Sequence, residues 1–428
     1  MSAVVEEVVQ PCPQCGAEVR GDRRFTAWCA GCDWNVDPAG PAQQPGRLER
    51  ARRALARRYG EQLLAEASAR GELRARRDAS SLLAGAIALA VHGLTLALAG
   101  GGLWFVVHFW GGPAVALGAF LLLLAFSLRP RPPRLPEDVP LLRRDQAPEL
   151  FALVDEIARV VGTRGVDVIA VDGMVNASVL TYGLRGRRLL TLGLPLWEGL
   201  TAQERIALLG HELGHYANGD TRHGLVVGTA YQSLTTWRYY LAPTPNPTPV
   251  QMVVNLACMP PTWLVHGLLM LLDRLTMRAS QRAEYLADRT AARAGSTEAA
   301  VGLLDRLMLA DSALTTLQRE VNDAARSGAR TGSRADDRAN GLWERLTAYL
   351  ESVPEHERER LRRAGALRGH SVDDTHPPTH LRRECLLVGA PTPAAVTSDG
   401  DRAHAVTTEL TDARRQVARQ ILRDGVRD

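Results

Sequence analysis

Residues 201–215 read Thr-Ala-Gln-Glu-Arg-Ile-Ala-Leu-Leu-Gly-His-Glu-Leu-Gly-His and contain both the start of a predicted helix and its two histidines. Thr201 and Glu204 form a Thr-x-x-Glu capping box, which predicts that a helix starts at Thr201. The Asn-Gly pair at 218–219 is typical of the end of such a helix. Side chains four residues apart lie on one helical face, so we expect the imidazoles of His211 and His215 to reach one metal ion.

Two glycines, Gly210 and Gly214, lie next to the histidines in this predicted helix. Each glycine weakens a helix by about 1 kcal/mol relative to alanine. Their presence is reasonable if another element approaches the helix closely, and we therefore expect such a contact. The alternative is an ordinary surface helix that carries two histidines by chance.

A carboxylate, Glu212, follows the first histidine directly and could accept a proton from an attacking water molecule. A catalytic zinc site requires three protein ligands and an open position. The best downstream candidate for the third ligand is Glu284, in a segment predicted to be helical. Asp288 lies one turn later on the same face and could orient a ligand histidine through its outer nitrogen. The alternative is a surface pair of acids on a charged helix.

Four motifs resemble those of the membrane metallopeptidases that include HtpX and the CAAX prenyl proteases, and together they cover about residues 140–390. The sequence His-Glu-Leu-Gly-His-Tyr-Ala-Asn-Gly-Asp at 211–220 resembles the active-site helix of that family. The segment 280–288 resembles its second zinc-site motif. Asn-Ala at 176–177 resembles a pair on the family's edge strand, and His-Pro-Pro-Thr-His-Leu-Arg at 376–382 resembles its late His-Pro motif.

The resemblance implies three zinc ligands, which are His211, His215 and Glu284. It also implies that Glu212 is the general base. By the same resemblance, His376 and Arg382 face the site and stabilise a developing oxyanion, an electrostatic contribution often worth several kcal/mol. Asn176 and Ala177 are implied to line the substrate cleft. Taken without the resemblance, His376 is better explained as a polar turn residue before two prolines.

Four of the six cysteines lie near the N-terminus, as two Cys-x-x-Cys pairs with thirteen residues between them. This spacing is typical of a zinc ribbon and predicts a closed, tetrahedral structural zinc within residues 1–40. The predicted ligands are Cys12, Cys15, Cys29 and Cys32. We expect Phe25, Trp28 and Trp34 to pack around this metal, and the module could bind a protein partner. A redox-active Cys-x-x-Cys pair is the alternative.

A long apolar segment, 81–128, contains no charged side chain and has about twice the roughly 20 residues that span a bilayer as a helix. It predicts a transmembrane hairpin with helices at about 82–105 and 108–128. Glycines at 100–102 and the Gly-Gly-Pro sequence at 111–113 are its candidate break points. A buried hairpin in a soluble protein is the alternative.

Arginines in the basic helical linker 41–80 and after Leu128 predict that both ends of this hairpin are cytoplasmic. Two further apolar segments, about 224–242 and 251–272, separate the histidine motif from Glu284. Since the three ligands must meet on one side of the membrane, the chain between them crosses it twice or not at all. We expect two crossings, and two helices that lie in the membrane interface are the alternative.

These features together predict a mainly α membrane protein. Transmembrane helices would join an N-terminal zinc ribbon to a zincin-like catalytic domain with a small β-sheet, for which 166–171, 177–182 and 189–192 supply β-like runs. The polar segment 320–340 is expected to be a mobile loop, and residues 391–428 a charged, exposed helical tail. A net charge of +4 does not require a nucleic-acid partner.

The function expected from this pattern is zinc-dependent hydrolysis of peptide bonds in proteins or peptides near a lipid bilayer, with one catalytic and one structural zinc ion. We expect a multi-pass protein of the cell membrane, with the N-terminus and the active site on the cytoplasmic side. Two alternatives remain open. One is a catalytically inactive membrane scaffold, against which the intact Glu212 argues, and the other is a zinc-ribbon adaptor that recruits partners to the membrane.

Overall fold

The computed structural model describes residues 7–38, 47–70, 79–131, 133–183, 185–327, 333–368 and 377–426, so His376 lies outside the described residues. The described chain is mainly helical with two small sheets, as expected. The strands are β1 (Glu7–Pro11), β2 (Glu18–Asp22), β3 (Leu141–Leu142), β4 (Val168–Asp172), β5 (Ala177–Tyr182) and β6 (Arg187–Gly193). The helices are α1 (Arg47–Arg70), α2 (Ala79–His108), α3 (Ala114–Leu128), α4 (Pro148–Val161), α5 (Leu194–Glu198), α6 (Ala202–Ala217), α7 (Asp220–Tyr240), α8 (Pro249–Gly295), α9 (Thr297–Leu307), α10 (Ala310–Arg326), α11 (Ser333–Asn340), α12 (Leu342–Glu351), α13 (Glu355–Arg368), α14 (Thr379–Leu387), α15 (Gly400–Glu409) and α16 (Thr411–Asp424).

The N-terminal part of the chain packs against the domain that contains the histidine motif. Strands β1 and β2 pair in antiparallel fashion, and α1 contacts both α8 and α14. The hydroxyl of Tyr285 on α8 donates to the carbonyl of Gly60 on α1 at 3.2 Å. Leu63 and Ala67 of α1 are buried in one cluster with Tyr285 and with Leu381 of α14. The predicted linker helix therefore contributes to the core around α14.

Helices α2, α3 and α7 and the first half of α8 form an apolar bundle. Their buried residues share one cluster, which contains Ala84, Ala88, Val91, Leu128, Val227, Ala230, Leu234, Trp237, Val265, Leu269 and Leu272. The outer surface of the bundle exposes many large apolar side chains, among them Leu96, Trp110 and Trp263. Helices α2 and α8 are long and apolar enough to cross a membrane, and the apolar stretch of each is mostly unburied. An exposed apolar surface of this kind is typical of a membrane-facing bundle and weakly supports a membrane protein.

The glycines at 100–102 do not break the first helix of the hairpin, contrary to the expectation that they could. Helix α2 continues through them to His108, and the turn lies between His108 and Ala114. A Cβ added at Gly102 would lie 2.9 Å from the Gly118 carbonyl oxygen of α3. Small residues at such positions allow two helices to approach closely in a bilayer, so Gly102 serves helix packing.

Helix α8 is a single continuous helix of 47 residues, where the sequence predicted an apolar segment and a separate polar helix. Pro260 and Pro261 lie inside it without ending it. Leu272, the last residue of α8 that is buried in the bundle, precedes Glu284 by twelve residues. At about 1.5 Å per residue, Glu284 therefore lies ~18 Å along the helix from the bundle core.

A four-stranded sheet in the order β3-β4-β6-β5 lies next to α6. Strands β4 and β6 are parallel, and β5 pairs with β6 in antiparallel fashion at the edge of the described sheet. The three predicted β-like runs correspond to β4, β5 and β6. Ile169, Leu190 and Leu192 pack from these strands into the main core, which also contains Leu209 and Leu213 of α6. The sheet is therefore fixed to the helix that carries the histidines.

Two expectations for the C-terminal third were wrong. The segment 320–340 is largely helical where it is described, because Leu317, Val321 and Ala324 bury one apolar face of α10. The final residues form α15 and α16, and they are not an exposed tail. Their inner face, which includes Leu410 and Ile421, belongs to the same core as α6.

Candidate metal centre

Helix α6 presents the histidines as predicted. The Thr201 hydroxyl accepts from the Glu204 backbone N–H, and the Glu204 carboxylate accepts from the Thr201 N–H at 2.8 Å, which completes the capping box. The ring centroids of His211 and His215 lie 4.9 Å apart, with the rings almost perpendicular. His211 and Glu212 are buried, whereas His215 is partly exposed.

The glycines of α6 allow α8 to approach, which confirms the predicted close contact. A Cβ at Gly210 would lie 2.7 Å from the Cβ of Ala294, and a Cβ at Gly214 would lie 3.0 Å from the Cβ of Thr290. Ordinary carbon contacts are about 3.5–4.0 Å, so any larger side chain would push the helices apart. The close approach brings Glu284 on α8 to the face that carries the two histidines.

Three donor atoms converge between these helices. The Nε2 atom of His211 lies 3.5 Å from one Glu284 carboxylate oxygen, and the Nε2 atom of His215 lies 3.6 Å from the other. One donor atom from each of the three residues lies within 4.8 Å of the other two. Tetrahedral ligands at the usual Zn–N and Zn–O distances of about 2.0–2.1 Å are separated by roughly 3.3 Å. The spacing and the chemistry of this donor set therefore fit a zinc ion.

A buried pair of opposite charges supports these donors from behind. Asp288 places its Oδ1 atom 3.0 Å from the outer nitrogen, Nδ1, of His211. Arg382 on α14 donates to both carboxylate oxygens of Asp288, from Nε at 2.8 Å and from Nη2 at 2.6 Å. Its third nitrogen, Nη1, lies 3.4 Å from a Glu284 oxygen. Bidentate pairing of this type is directional, and it fixes the position of Asp288 beside His211.

The carboxylates around His211 oppose the effect of its burial. Burial disfavours the charged imidazolium, but the carboxylates of Asp288 and Glu284 outweigh burial and raise the pKa of His211 to about 10. Burial also opposes the charge of Arg382, yet the same two carboxylates raise the pKa of that guanidinium. The site therefore favours positive charge where a divalent cation would bind.

The cleft in front of these donors has a volume of about 350 Å³. Glu212 lines it together with both histidines and Arg382. The start of β5 forms one wall, which contains Asn176, Ala177, Ser178 and Val179. Apolar side chains form the rest of the lining, and these are Leu196, Leu208, Leu303 and Leu307. The structure thus brings together every described residue that was predicted for the catalytic site.

Tyr216 has a positioning role that the sequence did not reveal. Its hydroxyl lies 2.7 Å from the Leu180 carbonyl oxygen and 3.1 Å from that of Leu189, to which it donates in a shared hydrogen bond. The Arg188 guanidinium packs over its ring at 4.3 Å. The side chain that follows His215 therefore ties α6 to β5 and β6. Its only signal in the sequence was its place in the motif, which gives no contact partner.

The four N-terminal cysteines also form a donor cluster. The Sγ atoms of Cys12 and Cys32 are 3.6 Å apart, as are those of Cys15 and Cys29. All four thiols are free, and their sulfurs lie within 4.8 Å of one another. Tetrahedral thiolates at a Zn–S distance of about 2.3 Å are roughly 3.8 Å apart, so this cluster fits a structural zinc.

The relationship to known proteins agrees with this geometry. The family model of peptidase family M48 matches residues 145–387, which is more than half of the chain. The chain belongs to peptidase family M48. This is the family of HtpX and the CAAX prenyl proteases, and its members are metalloprotease hydrolases. No curated protein and no solved structure matched the chain.

The M48 match extends from the residues just before α4 to the end of α14. It includes the four motifs on which the resemblance was based. It does not include the cysteine module, α1 or the α2–α3 hairpin. Those N-terminal elements lie outside the region that matches the M48 model.

Proposed function

We propose that this M48 protein is a zinc-dependent endopeptidase that hydrolyses peptide bonds in membrane-proximal proteins or peptides. The observation that supports this function best is the convergence of His211, His215 and Glu284 beside Glu212 in an open cleft. A closed set of four protein ligands would indicate a structural metal, whereas three ligands beside a cleft leave a position for substrate. The membership in M48 supports the metallopeptidase class.

In this proposal His211, His215 and Glu284 hold the catalytic zinc. When bound, zinc would polarise the carbonyl of the substrate and lower the pKa of a water molecule. Glu212 accepts the proton of the attacking water and returns it to the leaving amine, which is general acid–base catalysis. Arg382 faces the cleft, and its role in stabilising the oxyanion, together with His376, is part of the proposal.

The substrate is proposed to bind along β5. An edge strand presents unpaired backbone N–H and C=O groups, so an extended peptide can add to the sheet as a further strand. Asn176 and Ala177 lie at the start of β5 and at the wall of the cleft, beside the metal donors. The leucines in the rest of the lining favour an apolar substrate side chain in this cleft.

The apolar bundle is proposed to place this site at the cytoplasmic face of the cell membrane. Four crossings, by α2, α3, α7 and the first half of α8, would put His215 and Glu284 on one side. The exposed apolar surface of the bundle and the arginines that flank the hairpin support this topology. The distance of ~18 Å along α8 would keep the site within reach of juxtamembrane segments.

The proposed organisation assigns residues 1–40 to a zinc ribbon, 41–80 to a basic helical linker and 81–128 to a transmembrane hairpin. Residues 140–390 form the zincin-like catalytic domain, and 391–428 follow as a charged helical segment. The contacts of α1, α15 and α16 with the catalytic domain show that these parts share core residues. These regions are therefore parts of one packed structure and not separate folding units.

The decisive experiment uses the full-length protein in detergent and compares wild type with Glu212→Gln. We expect about two zinc ions per chain in both proteins, because Glu212 is not a ligand. Hydrolysis of an unfolded protein should fall by at least about 10²-fold in the variant, the usual contribution of a general base. Glu351→Gln, a change at an exposed carboxylate on α12, is the matched control and should retain activity. A Glu212→Gln protein as active as wild type would refute the proposed mechanism.

The same experiment addresses the alternative of an inactive scaffold. A scaffold predicts that wild type and Glu212→Gln are equally inactive on every substrate, even with both zinc ions bound. The adaptor alternative makes a different demand, because it requires the surface of the cysteine module to be available to another protein.

A further inference from the structure

The cysteine module is bound to the catalytic domain through a fully buried tryptophan. Trp28 has no exposed surface, and its ring stacks on that of His356 with the centroids 4.7 Å apart. Its indole N–H donates to the His356 carbonyl at 3.3 Å. Val36 from the module and Ala364 from α13 are buried against the same ring. Trp28 was expected to pack around the metal, but it is directed outward against α13.

Arginines of α13 complete this interface. Arg363 donates to the Ala30 carbonyl at 2.7 Å, pairs with Asp33 at 2.8 Å and lies over the Trp28 ring. Arg360, which is buried, donates to the Val36 carbonyl at 2.7 Å. Arg368 pairs with Asp37. The side of α13 that faces the module is thus complementary to it in shape and in charge.

Nearly all groups that the module contributes to this interface lie in or beside its second cysteine pair. They are Trp28, Ala30, Asp33, Val36 and Asp37. The conformation of this segment is unusual, since Asp33 and Asn35 have φ values of 58° and 60°. Asp and Asn adopt this left-handed conformation more readily than other residues that carry a side chain, and the surroundings offset its remaining cost. Ligation through Cys29 and Cys32 would restrain this segment.

The opposite side of α13 leads to the catalytic cleft. Arg362 of α13 lies 3.6 Å from one oxygen of Asp305 on α9, and Arg383 of α14 donates to the other at 3.0 Å. Helix α9 contributes Leu303 and Leu307 to the cleft, and Arg383 adjoins Arg382. The position of α13 is therefore linked to two elements that line the cleft.

We propose that the partner of the cysteine module is helix α13 of its own chain, and that the module's metal, by fixing the second cysteine pair, holds α13 and the cleft in their assembled form. The docking is independent of the catalytic proposal. The effect on hydrolysis rests on the proposed function. In this arrangement the module acts in cis, and its binding surface is not available to another protein while it is docked.

The test uses the full-length protein in detergent and two variants that disrupt the docking of the cysteine module on α13 in different ways. Cys32→Ser removes a metal ligand, whereas Trp28→Ala removes the docking ring and keeps all four cysteines. Trp110→Ala is the matched control, because Trp110 is 80% exposed at the turn of the hairpin. Zinc content, amide hydrogen exchange and peptide hydrolysis are measured for each protein.

We expect Cys32→Ser to lose about one zinc ion per chain and Trp28→Ala to lose none. In both variants amide exchange across residues 355–368 should accelerate by about tenfold or more, as expected when a helix loses its buried partner, and α6 should retain its protection. Peptide hydrolysis should fall in both variants although the catalytic zinc is retained. Trp110→Ala should match wild type in all three measurements.

Unchanged exchange across 355–368 in both variants would overturn the docking role. Faster exchange with wild-type hydrolysis would overturn the link between α13 and the cleft. If wild type itself hydrolysed no peptide, the proposed function would fail, but the exchange data would still decide whether the module docks on α13.

Discussion

Replacing Gly210 by alanine tests the contact on which the metal site depends. The added methyl group would lie 2.7 Å from the Ala294 Cβ and 3.2 Å from the Ala291 Cα on α8. Both neighbours belong to small residues of a packed helix, so no flexible side chain can move aside. Relief of this overlap requires α6 and α8 to separate by about 1 Å, given a normal carbon contact of about 3.5–4.0 Å.

The magnitude follows from two opposing effects. Overpacking of a tight core typically costs about 1–3 kcal/mol. Alanine is a better helix former than glycine by about 0.5–1 kcal/mol, which offsets part of this cost. The net expectation is a loss of about 0–2.5 kcal/mol, centred near 1 kcal/mol, or a fall in Tm of a few degrees at roughly 2–4 °C per kcal/mol. Because metal sites tolerate displacements of only about 0.5 Å, zinc affinity at the catalytic site should fall by tenfold or more.

The assay combines a thermal melt with competition for zinc by a chelator, in the full-length protein. Gly365→Ala is the matched control, since a Cβ at Gly365 of α13 would meet nothing within 4 Å. That change should be neutral or slightly stabilising and should leave the zinc affinity unaltered. The reasoning is refuted if Gly210→Ala behaves like Gly365→Ala, because the close approach of α8 would then not determine the geometry of the donors.

Three further predictions test the surroundings of the site. Asp288→Asn should lower zinc affinity at the catalytic centre by about 10–100-fold, as expected for a partner of a ligand histidine, and chelator competition should show the ribbon zinc unaffected. Tyr216→Phe removes the hydroxyl that holds β5 and β6, so it should cost about 1 kcal/mol in a thermal melt and raise KM more than it lowers kcat. Burial lowers the pKa of His356 below its ordinary value of about 6.5, with Glu357 opposing and Arg360 and Arg363 adding to the effect. Docking of the module is therefore favoured above pH ~6.5 and weakens as the pH falls through that value, because the undocked state takes up the proton first. The rate of amide exchange across α13, corrected for its intrinsic pH dependence, should rise over this range in wild type. It should not do so in His356→Gln.

The parts of the site that could be predicted from sequence are those fixed by local rules. The capping box at Thr201 and the spacing of His211 and His215 define a helix and its metal-binding face without reference to the rest of the fold. The glycines next to those histidines correctly predicted a close neighbour. Glu284 and Asp288 were placed by their spacing and by the M48 resemblance, and the structure brings both to the site.

The features that could not be predicted depend on contacts between distant segments. Pro260 and Pro261 normally disrupt a helix, so the continuity of α8 was not evident. The charged residues of α16 concealed an apolar stripe that is buried in the main core. Trp28 and Trp34 are the same residue type and both lie near the second cysteine pair in the sequence. Only Trp34 packs with the cysteines, whereas Trp28 is covered by α13. Nothing near Trp28 in the sequence identifies that partner.

The continuity of α8 has a physical consequence for the metal site. One end of this helix packs in the apolar bundle, and the other end supplies Glu284 and Asp288. Because a helix is stiff along its axis, we expect a shift of the bundle residues to displace Glu284 relative to the two histidines on α6. The geometry of the donor set is therefore determined jointly by the α6–α8 contact and by whatever surrounds the bundle. Because the bundle is proposed to lie in a membrane, we expect the zinc affinity of this donor set to differ between lipid and detergent, and it should be compared between proteins only in one environment.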